Sequence, residues 1–271
     1  MANMIIRPAA GTGNKVIVQD QAGGAVLSTA DSGATFNAGV LSAGVTGGSG
    51  LTVGLQSMQV FETAGSATWT RPANIKTIKV YCTGAGGGGG GPGNAWDSGG
   101  GGGGGGTAIR IYDVSSTASA AVVVGAGGAS AGTDGSTSGQ YDTGGNGGTS
   151  SFAGPGQTIS ATGGNGGQDG NQGYVVGGAS GAGVGGQLNL RGQEGDFGFD
   201  GTTGWNWNGD GGSSFWSGGA GIRVNDTAGQ GVRRDASHGA GGGGGTVYNG
   251  GAIYKRSGAG GAGIVVIEEY A

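Results

Sequence analysis

Apolar and polar residues alternate in two stretches of the chain, and this alternation predicts β-strands. Residues 75–82 read IKTIKVYC, in which Ile78, Val80 and Cys82 alternate with Thr77, Lys79 and Tyr81. Residues 107–114 read TAIRIYDV, which places Ile109 and Ile111 on one face and Arg110 on the other. Strict alternation of this kind is typical of a strand that buries one face.

Other stretches lack alternation but also favour strands. AAVVVGAG at 120–127 and GIVVIEEY at 263–270 are runs of β-branched residues, as expected of strands covered on both faces. The segment 149–161, TSSFAGPGQTISA, predicts a hairpin between two copies of TGGNGG, at 143–148 and 162–167. No stretch has a sustained helical period, and glycine disfavours a helix by about 1 kcal/mol per residue relative to alanine. The pattern therefore predicts an all-β protein.

The first sixty residues differ from the rest. Residues 15–36 alternate around an Ala-Gly-Gly turn at 22–24, and after Phe36 short β-like units are interrupted by glycine every few residues. Such a short segment has too few large residues to bury a core of its own. We therefore expect residues 1–60 to be a β-rich attachment and oligomerisation segment, and residues 61–271 to be the main domain.

Glycine changes this picture, because it accounts for 77 of the 271 residues, with six in a row at 86–91 and eight at 99–106. Such a composition is usually typical of disordered chains. The low charged fraction of 10% and the 5 Trp, 7 Tyr and 6 Phe argue against disorder. Polyglycine can adopt the extended polyproline II conformation, and its buried N–H and C=O groups then need partners in neighbouring segments. We expect a glycine-rich, β-sandwich-like body with extended segments of this polyglycine II type.

Charge and cysteine content exclude several classes of function. The net charge is −4 and the 12 Lys and Arg residues are scattered, so no nucleic-acid partner is expected. Cys82 is the only cysteine, which leaves no disulfide framework and no cysteine-based metal site. No stretch approaches the roughly 18 apolar residues of a membrane span, and the N-terminus lacks the features of a signal peptide. We expect synthesis in the cytoplasm, no membrane insertion and no cofactor.

Residues 61–91, FETAGSATWTRPANIKTIKVYCTGAGGGGGG, combine a Trp-Thr-x-Pro turn, a strand and a glycine tract. The pieces GGTAIRIYDV, AAVVVGAGG, GGTSSFAG and GGAGIVVIEEY follow in order. This order resembles the glycine-rich domain of bacteriophage tail-fibre proteins, and the tracts are similar to the polyglycine helices of distal phage adhesins. The resemblance implies a virion protein that attaches the virion to a host glycan or outer-membrane protein without catalysis. It also implies a homotrimer that binds other virion or tail proteins through residues 1–60.

Candidate receptor-binding residues cluster in 194–216, EGDFGFDGTTGWNWNGDGGSSFW, where six aromatic residues alternate with Asp and Asn. Flat aromatic faces beside polar groups suit a sugar ring, and they suit a protein loop equally well. A second candidate loop tip lies between the two long glycine tracts. The candidate residues are Trp96, Asn94, Asp97, Phe197, Phe199, Asp200, Trp205, Asn206, Trp207, Asn208, Asp210 and Trp216. The alternative is that these aromatic residues pack as a local core or as a subunit interface.

Motifs for catalysis are weak. GASAG at 128–132 fits the G-x-S-x-G pattern of a nucleophile elbow, but glycine follows where a helix is required. Glu268 and Glu269 are neighbours, so strand geometry puts them on opposite faces and disfavours a glycosidase pair. Two alternatives to an adhesin stay open: a structural virion protein, such as a head fibre or capsid decoration, and a polysaccharide depolymerase spike.

Overall fold

The computed structural model describes residues 54–93, 98–132, 142–170, 174–199, 208–221, 235–248 and 253–271, and three strands before residue 54. Every regular element in these residues is a strand, which confirms the all-β prediction. The same residues include no helix that is long and apolar enough to cross a membrane. In chain order the strands are β1 (Ile17–Gln19), β2 (Ala25–Ala30), β3 (Gly33–Phe36), β4 (Leu55–Phe61), β5 (Gly65–Thr70), β6 (Thr77–Thr83), β7 (Thr107–Asp113), β8 (Ser119–Val124), β9 (Ser150–Ala153), β10 (Thr158–Ala161), β11 (Tyr174–Val175), β12 (Gly183–Val184), β13 (Leu188–Leu190), β14 (Gly198–Phe199), β15 (Thr246–Tyr248), β16 (Ile253–Lys255) and β17 (Ile264–Tyr270).

The chain divides into two compact units, Met1–Thr52 and Val53–Ala271. In the first unit, β1, β2 and β3 form an antiparallel sheet, with Val18 opposite Leu27 across the predicted turn. In the second unit, β4 pairs with β17. Residues 55–60 therefore belong to a sheet of the second unit.

Two five-stranded sheets of the second unit pack face to face as a β-sandwich, as predicted. The β17 sheet has the order β13-β7-β6-β17-β4, and the β9 sheet has the order β12-β10-β9-β8-β5. Their facing side chains form one apolar cluster, which includes the fully buried Trp69, Ile78, Phe152 and Ile267. Burial of these large side chains offsets part of the backbone entropy that a glycine-rich chain loses on folding.

Most of the predicted strand patterns match the observed burial. In β6, Ile78 and Val80 are buried and their neighbours are less so, and β17 is buried on both faces over its first four residues. The predicted hairpin is formed by β9 and β10. The prediction that β8 is covered on both faces is wrong, because its burial alternates and Val123 is 36% exposed. Valine favours strands by its β-branched shape alone, so a run of valines does not require two covered faces.

The Trp-Thr-x-Pro element places its tryptophan in the core rather than in a turn. Trp69 lies in β5 and packs edge-on against Phe152, with the ring centroids 6.2 Å apart. Its indole Nε1–H donates a hydrogen bond of 2.7 Å to the Glu269 carboxylate, which is fully buried. Gln59 Nε2 and the Ser57 hydroxyl donate to the same carboxylate. Three donors thus replace the water that this charge loses on burial.

We expect Glu269→Ala to lower the free energy of unfolding by about 3 kcal/mol, because it leaves buried donors of Trp69 and Gln59 without a partner. The matched control is Glu268→Ala in the same strand, whose side chain lies on the partly exposed face. Its cost should stay below about 1 kcal/mol. Urea unfolding followed by tryptophan fluorescence measures both, and equal losses for the two variants would contradict the assigned role.

The first long glycine tract, 84–91, is the centre of a lattice of extended segments. The N–H groups of Gly86 to Gly91 donate backbone hydrogen bonds of 2.8–3.0 Å to other segments, and the acceptor segment repeats every third residue. Gly86 and Gly89 donate to 258–261, Gly87 and Gly90 to 100–103, and Gly88 and Gly91 to 142–145. A three-residue period without internal hydrogen bonds defines the polyglycine II helix, so these segments are as predicted.

Each long tract has six hydrogen-bonded neighbours. Those of 84–91 are 99–106, 125–132, 142–148, 162–170, 239–245 and 257–263. Those of 99–106 are 84–91, 162–170, 176–182, 191–196, 208–214 and 239–245. This is hexagonal packing around two adjacent centres, and it leaves no room for side chains. A Cβ atom on any of Gly86 to Gly90 would lie 1.8–2.1 Å from a carbonyl oxygen of a neighbouring segment.

The outer segments of the lattice show a three-residue pattern in the sequence. In 162–170, Thr162, Asn165 and Gln168 are exposed, and the buried positions between them include glycines packed on the tracts. The two TGGNGG copies are therefore outer polyglycine helices, in which every third residue faces solvent. The same pattern exposes Ala126 and Ala129 in the segment 125–132.

Candidate functional site

The lattice joins the sandwich at one end and has a free end, which we call the tip. The tract 84–91 leaves the sandwich after β6, and 99–106 returns to it at β7. Gly87 N–H donates to Gly103, and Gly90 N–H donates to Gly100, so the two tracts are antiparallel. Four gaps in the described part of the chain interrupt lattice segments at the same end. The described residues on either side of these gaps lie at the tip, and the gaps are 94–97, 133–141, 171–173 and 200–207.

Three aromatic side chains meet at the tip on two neighbouring segments. The segments 174–182 and 191–199 run antiparallel, and β11 pairs with β14 so that Tyr174 lies opposite Phe199. The Tyr174 ring centroid is 5.0 Å from that of Phe199 and 5.7 Å from that of Phe197. Tyr174 is 76% exposed and Phe197 57% exposed. The rings pack on one another, and Tyr174 and Phe197 present most of their surface to solvent, whereas Phe199 is partly buried.

Polar side chains surround this aromatic cluster. It borders an open cavity of about 350 Å³, whose lining also includes Gln193, Glu194 and Asp196. All three polar residues are exposed. The cavity therefore offers apolar ring faces, one amide and two carboxylates, a combination that can contact both the apolar face and the hydroxyls of a sugar, or a protein loop.

Two more candidate residues lie at the tip, on the next segment of the lattice. Asp196 N–H donates to the Asp210 carbonyl at 2.8 Å, and the Asp210 side chain is exposed. Asn208 is two residues nearer the gap 200–207, and its Oδ1 is buried without a hydrogen-bond partner. Phe197, Phe199, Asn208 and Asp210 thus lie on neighbouring segments of the lattice, near the tip.

Residue 98, at the start of the second glycine tract, lies close to β14. A Cβ atom on Gly198 would lie 2.5 Å from the carbonyl oxygen of Ser98, so the start of the second tract abuts β14. The remaining candidates lie outside the described residues. These are Asn94, Trp96 and Asp97 in one gap, and Asp200, Trp205, Asn206 and Trp207 in another.

Trp216 does not belong to this cluster. The chain reverses at 214–217, where Ser214 N–H donates to the Ser217 carbonyl, and Trp216 Nε1–H donates to the Thr83 hydroxyl at 3.0 Å. Thr83 is the last residue of β6, so Trp216 lies against the β17 sheet. Its ring, with that of Phe215, contacts Tyr81. The described aromatic residues of 194–216 therefore divide between the tip, with Phe197 and Phe199, and the sandwich, with Phe215 and Trp216.

Tyr174 is the tip residue that the sequence analysis missed. It precedes Val176 and Ala179, which are exposed three residues apart in an outer polyglycine segment. The three-residue spacing of Val176 and Ala179 marks an outer polyglycine segment in the sequence. Tyr174 stands at the start of this segment, where the chain enters the lattice from the tip.

Two candidate nucleophiles and the metal-binding residue types can be located among the described residues. Burial raises the pKa of the Cys82 thiol to about 12, which keeps it protonated. The stretch 128–132 lies in an extended outer segment, where Gly128 N–H donates to Gly86, so it is not a nucleophile elbow. Within the described part of the chain, no three His, Cys, Asp or Glu side chains lie close enough to hold a metal ion.

Comparison with known proteins agrees with this architecture. No curated protein is similar enough to the chain to match it. A family model described as a glycine-rich domain matches residues 62–270. This match covers the polyglycine lattice and every strand of the sandwich except β4. The chain therefore belongs to the glycine-rich domain family.

Proposed function

We propose that this protein is a bacteriophage tail-fibre adhesin, which attaches the virion to the host cell surface without catalysis. The observation that supports it is the aromatic cluster at the free end of the lattice, in which Tyr174 and Phe197 are exposed and Phe199 is partly buried. A polyglycine body with hydrogen bonds in several directions holds such a cluster with little freedom. Little entropy is then lost on binding, and several copies on one virion multiply a modest affinity.

The ligand of this site is a glycan or an outer-membrane protein loop on a bacterial surface. Both classes are recognised by aromatic faces flanked by carboxylates and amides, as in the cavity beside Tyr174. The chain before Gly54 enters the sandwich at Leu55, and Tyr270 is paired with Leu55 at the end of β17 away from the lattice. Within the second unit, the tip is thus at the opposite end from Leu55, where β4 begins, and we propose that residues 1–60 fix the adhesin to the virion.

Binding of labelled, purified protein to a panel of bacterial strains tests the proposal. On the strains that bind it, the purified protein should also block adsorption of the phage. Tyr174→Ala should weaken binding at least tenfold, which is about 1.4 kcal/mol, as expected of an aromatic anchor. Its melting temperature should stay unchanged, because the side chain is 76% exposed.

A matched pair of exposed valines locates the site. Val176 lines the tip cavity and Val184 lies in β12 of the sandwich, and both are more than half exposed. Val176→Ser should weaken binding and Val184→Ser should not. Absence of binding to every strain, with the fold intact, would reject the adhesin and leave a structural virion protein.

A further inference from the structure

We propose that the outer face of the β17 sheet is a self-association surface, which packs against the same face of other copies of this chain with all copies parallel. The outer face is the side of that sheet turned away from the sandwich core. This inference rests on the proposed function in one respect, since parallel copies present their tips together.

The outer face carries six large apolar side chains that are exposed. Its exposed side chains are 39–57% accessible and reach from one edge of the sheet to the other. They are Met58, Val60, Ile111, Leu188, Phe215 and Trp216. Contiguous apolar patches of this kind mark interaction sites on soluble proteins.

A groove runs along this face. It has a volume of about 470 Å³ and lies between β4 and the reversal at 214–217. Ile264 and Val266 form its floor, and Met58 and Val60 form one wall. The opposite wall is aromatic, with Tyr81 and Trp216. Such a groove is filled best by apolar side chains of a partner, which the same face of another copy supplies.

The charges on the face are self-complementary. Lys79 and Glu268 are directly opposite each other in the β6–β17 pair, so one charge of each sign lies at the same level. Glu268 accepts hydrogen bonds from the Tyr81 and Tyr270 hydroxyls, and the Lys79 ammonium lies 4.7 Å from the Tyr81 ring centroid. When identical faces surround a common axis, Lys79 of one copy can meet Glu268 of the next.

The path of the chain selects the parallel arrangement. β4 begins at Leu55, away from the lattice, and ends at Phe61, where the lattice starts. Pairing of two β4 edges in antiparallel fashion would point the two tips in opposite directions. Packing of outer faces around an axis along the strands lets every β4 begin at one end of the assembly and every tip lie at the other. The resemblance to tail fibres gives three as the expected number of copies.

Cysteine cross-linking in the full chain tests this surface. Val60→Cys places a thiol on the outer face, and Val123→Cys places one on an exposed valine of the other sheet. In a parallel assembly identical positions lie at the same height, so a single variant should cross-link with itself through a short bismaleimide. The native Cys82 gives no background, because it is fully buried and its pKa is raised to about 12.

We expect Val60→Cys to give covalently linked chains at a yield at least tenfold above that of Val123→Cys. Met58→Cys on the same face provides a second position and should behave like Val60→Cys. Equal yields at residues 60 and 123, or no linked chains at residues 58 and 60, would overturn the inference.

The experiment separates this inference from the proposed function. Efficient cross-linking at residue 60 without binding to any bacterium would reject the adhesin and keep the surface. Binding that depends on Tyr174, without cross-linking at residues 58 and 60, would do the reverse.

Discussion

Gly87→Ala is expected to lower the free energy of unfolding by about 3 kcal/mol or more. The added Cβ atom would lie 2.0 Å from the Asn165 carbonyl oxygen and 2.4 Å from its carbon. Those atoms are backbone, so no flexible side chain can move aside. Relief requires separation of the segments 84–91 and 162–170, which breaks the hydrogen bonds that Gly164 N–H and Gly167 N–H donate to Ala85 and Gly88. The gain of about 0.4–1 kcal/mol that alanine brings by restricting the unfolded chain is too small to compensate.

The matched control is Gly218→Ala. No atom lies within 4 Å of the position that a Cβ on Gly218 would take, and its φ is outside the left-handed region. This variant should unfold within about 1 kcal/mol of the parent protein. Urea unfolding of both variants measures the difference. If Gly87→Ala were as stable as Gly218→Ala, the close packing of the lattice would be disproved.

Much of the lattice could be predicted from the sequence, but its arrangement could not. The length of the glycine tracts predicts polyglycine helices, because only glycine permits such close backbone packing. The order of neighbours is set by backbone hydrogen bonds between distant segments, as between Gly89 and Gly258. Glycines carry no side chain that would distinguish one neighbour from another, so a single sequence does not reveal which segments meet.

The sequence prediction names Phe197 and Phe199 of the aromatic cluster at the tip but not Tyr174. The aromatic stretch was interpreted by the two-residue alternation of a β-strand. The neighbouring segments are polyglycine helices, which repeat every three residues. The rule therefore could not reveal that Tyr174, from a distant part of the sequence, lies against Phe197 and Phe199. It also could not foresee the reversal at 214–217, which carries Trp216 to the sandwich.

Trp69→Ala is expected to lower the free energy of unfolding by about 4 kcal/mol. Trp69 is fully buried between the two sheets, and its ring contacts that of Phe152. Its loss creates a cavity in the only large apolar cluster among the described residues, and it removes the indole donor of the buried Glu269 carboxylate. Trp69→Phe separates these effects, because it keeps most of the volume and removes only the donor, at an expected cost of about 2 kcal/mol.

Trp216→Ala is the matched control for this prediction, since its side chain is 39% exposed and lies on the outer face of the β17 sheet. Its cost should not exceed about 1 kcal/mol, provided that all variants are compared at one protein concentration, because self-association would raise apparent stability. Thermal and urea unfolding give the ranking. A cost for Trp216→Ala that matches that of Trp69→Ala would mean that the reversal at 214–217 stabilises the fold as much as the core does. We expect instead that only Trp69→Ala lowers the free energy of unfolding strongly. Polyglycine buries too little apolar surface to fold alone, so the lattice should depend on the apolar core of the sandwich.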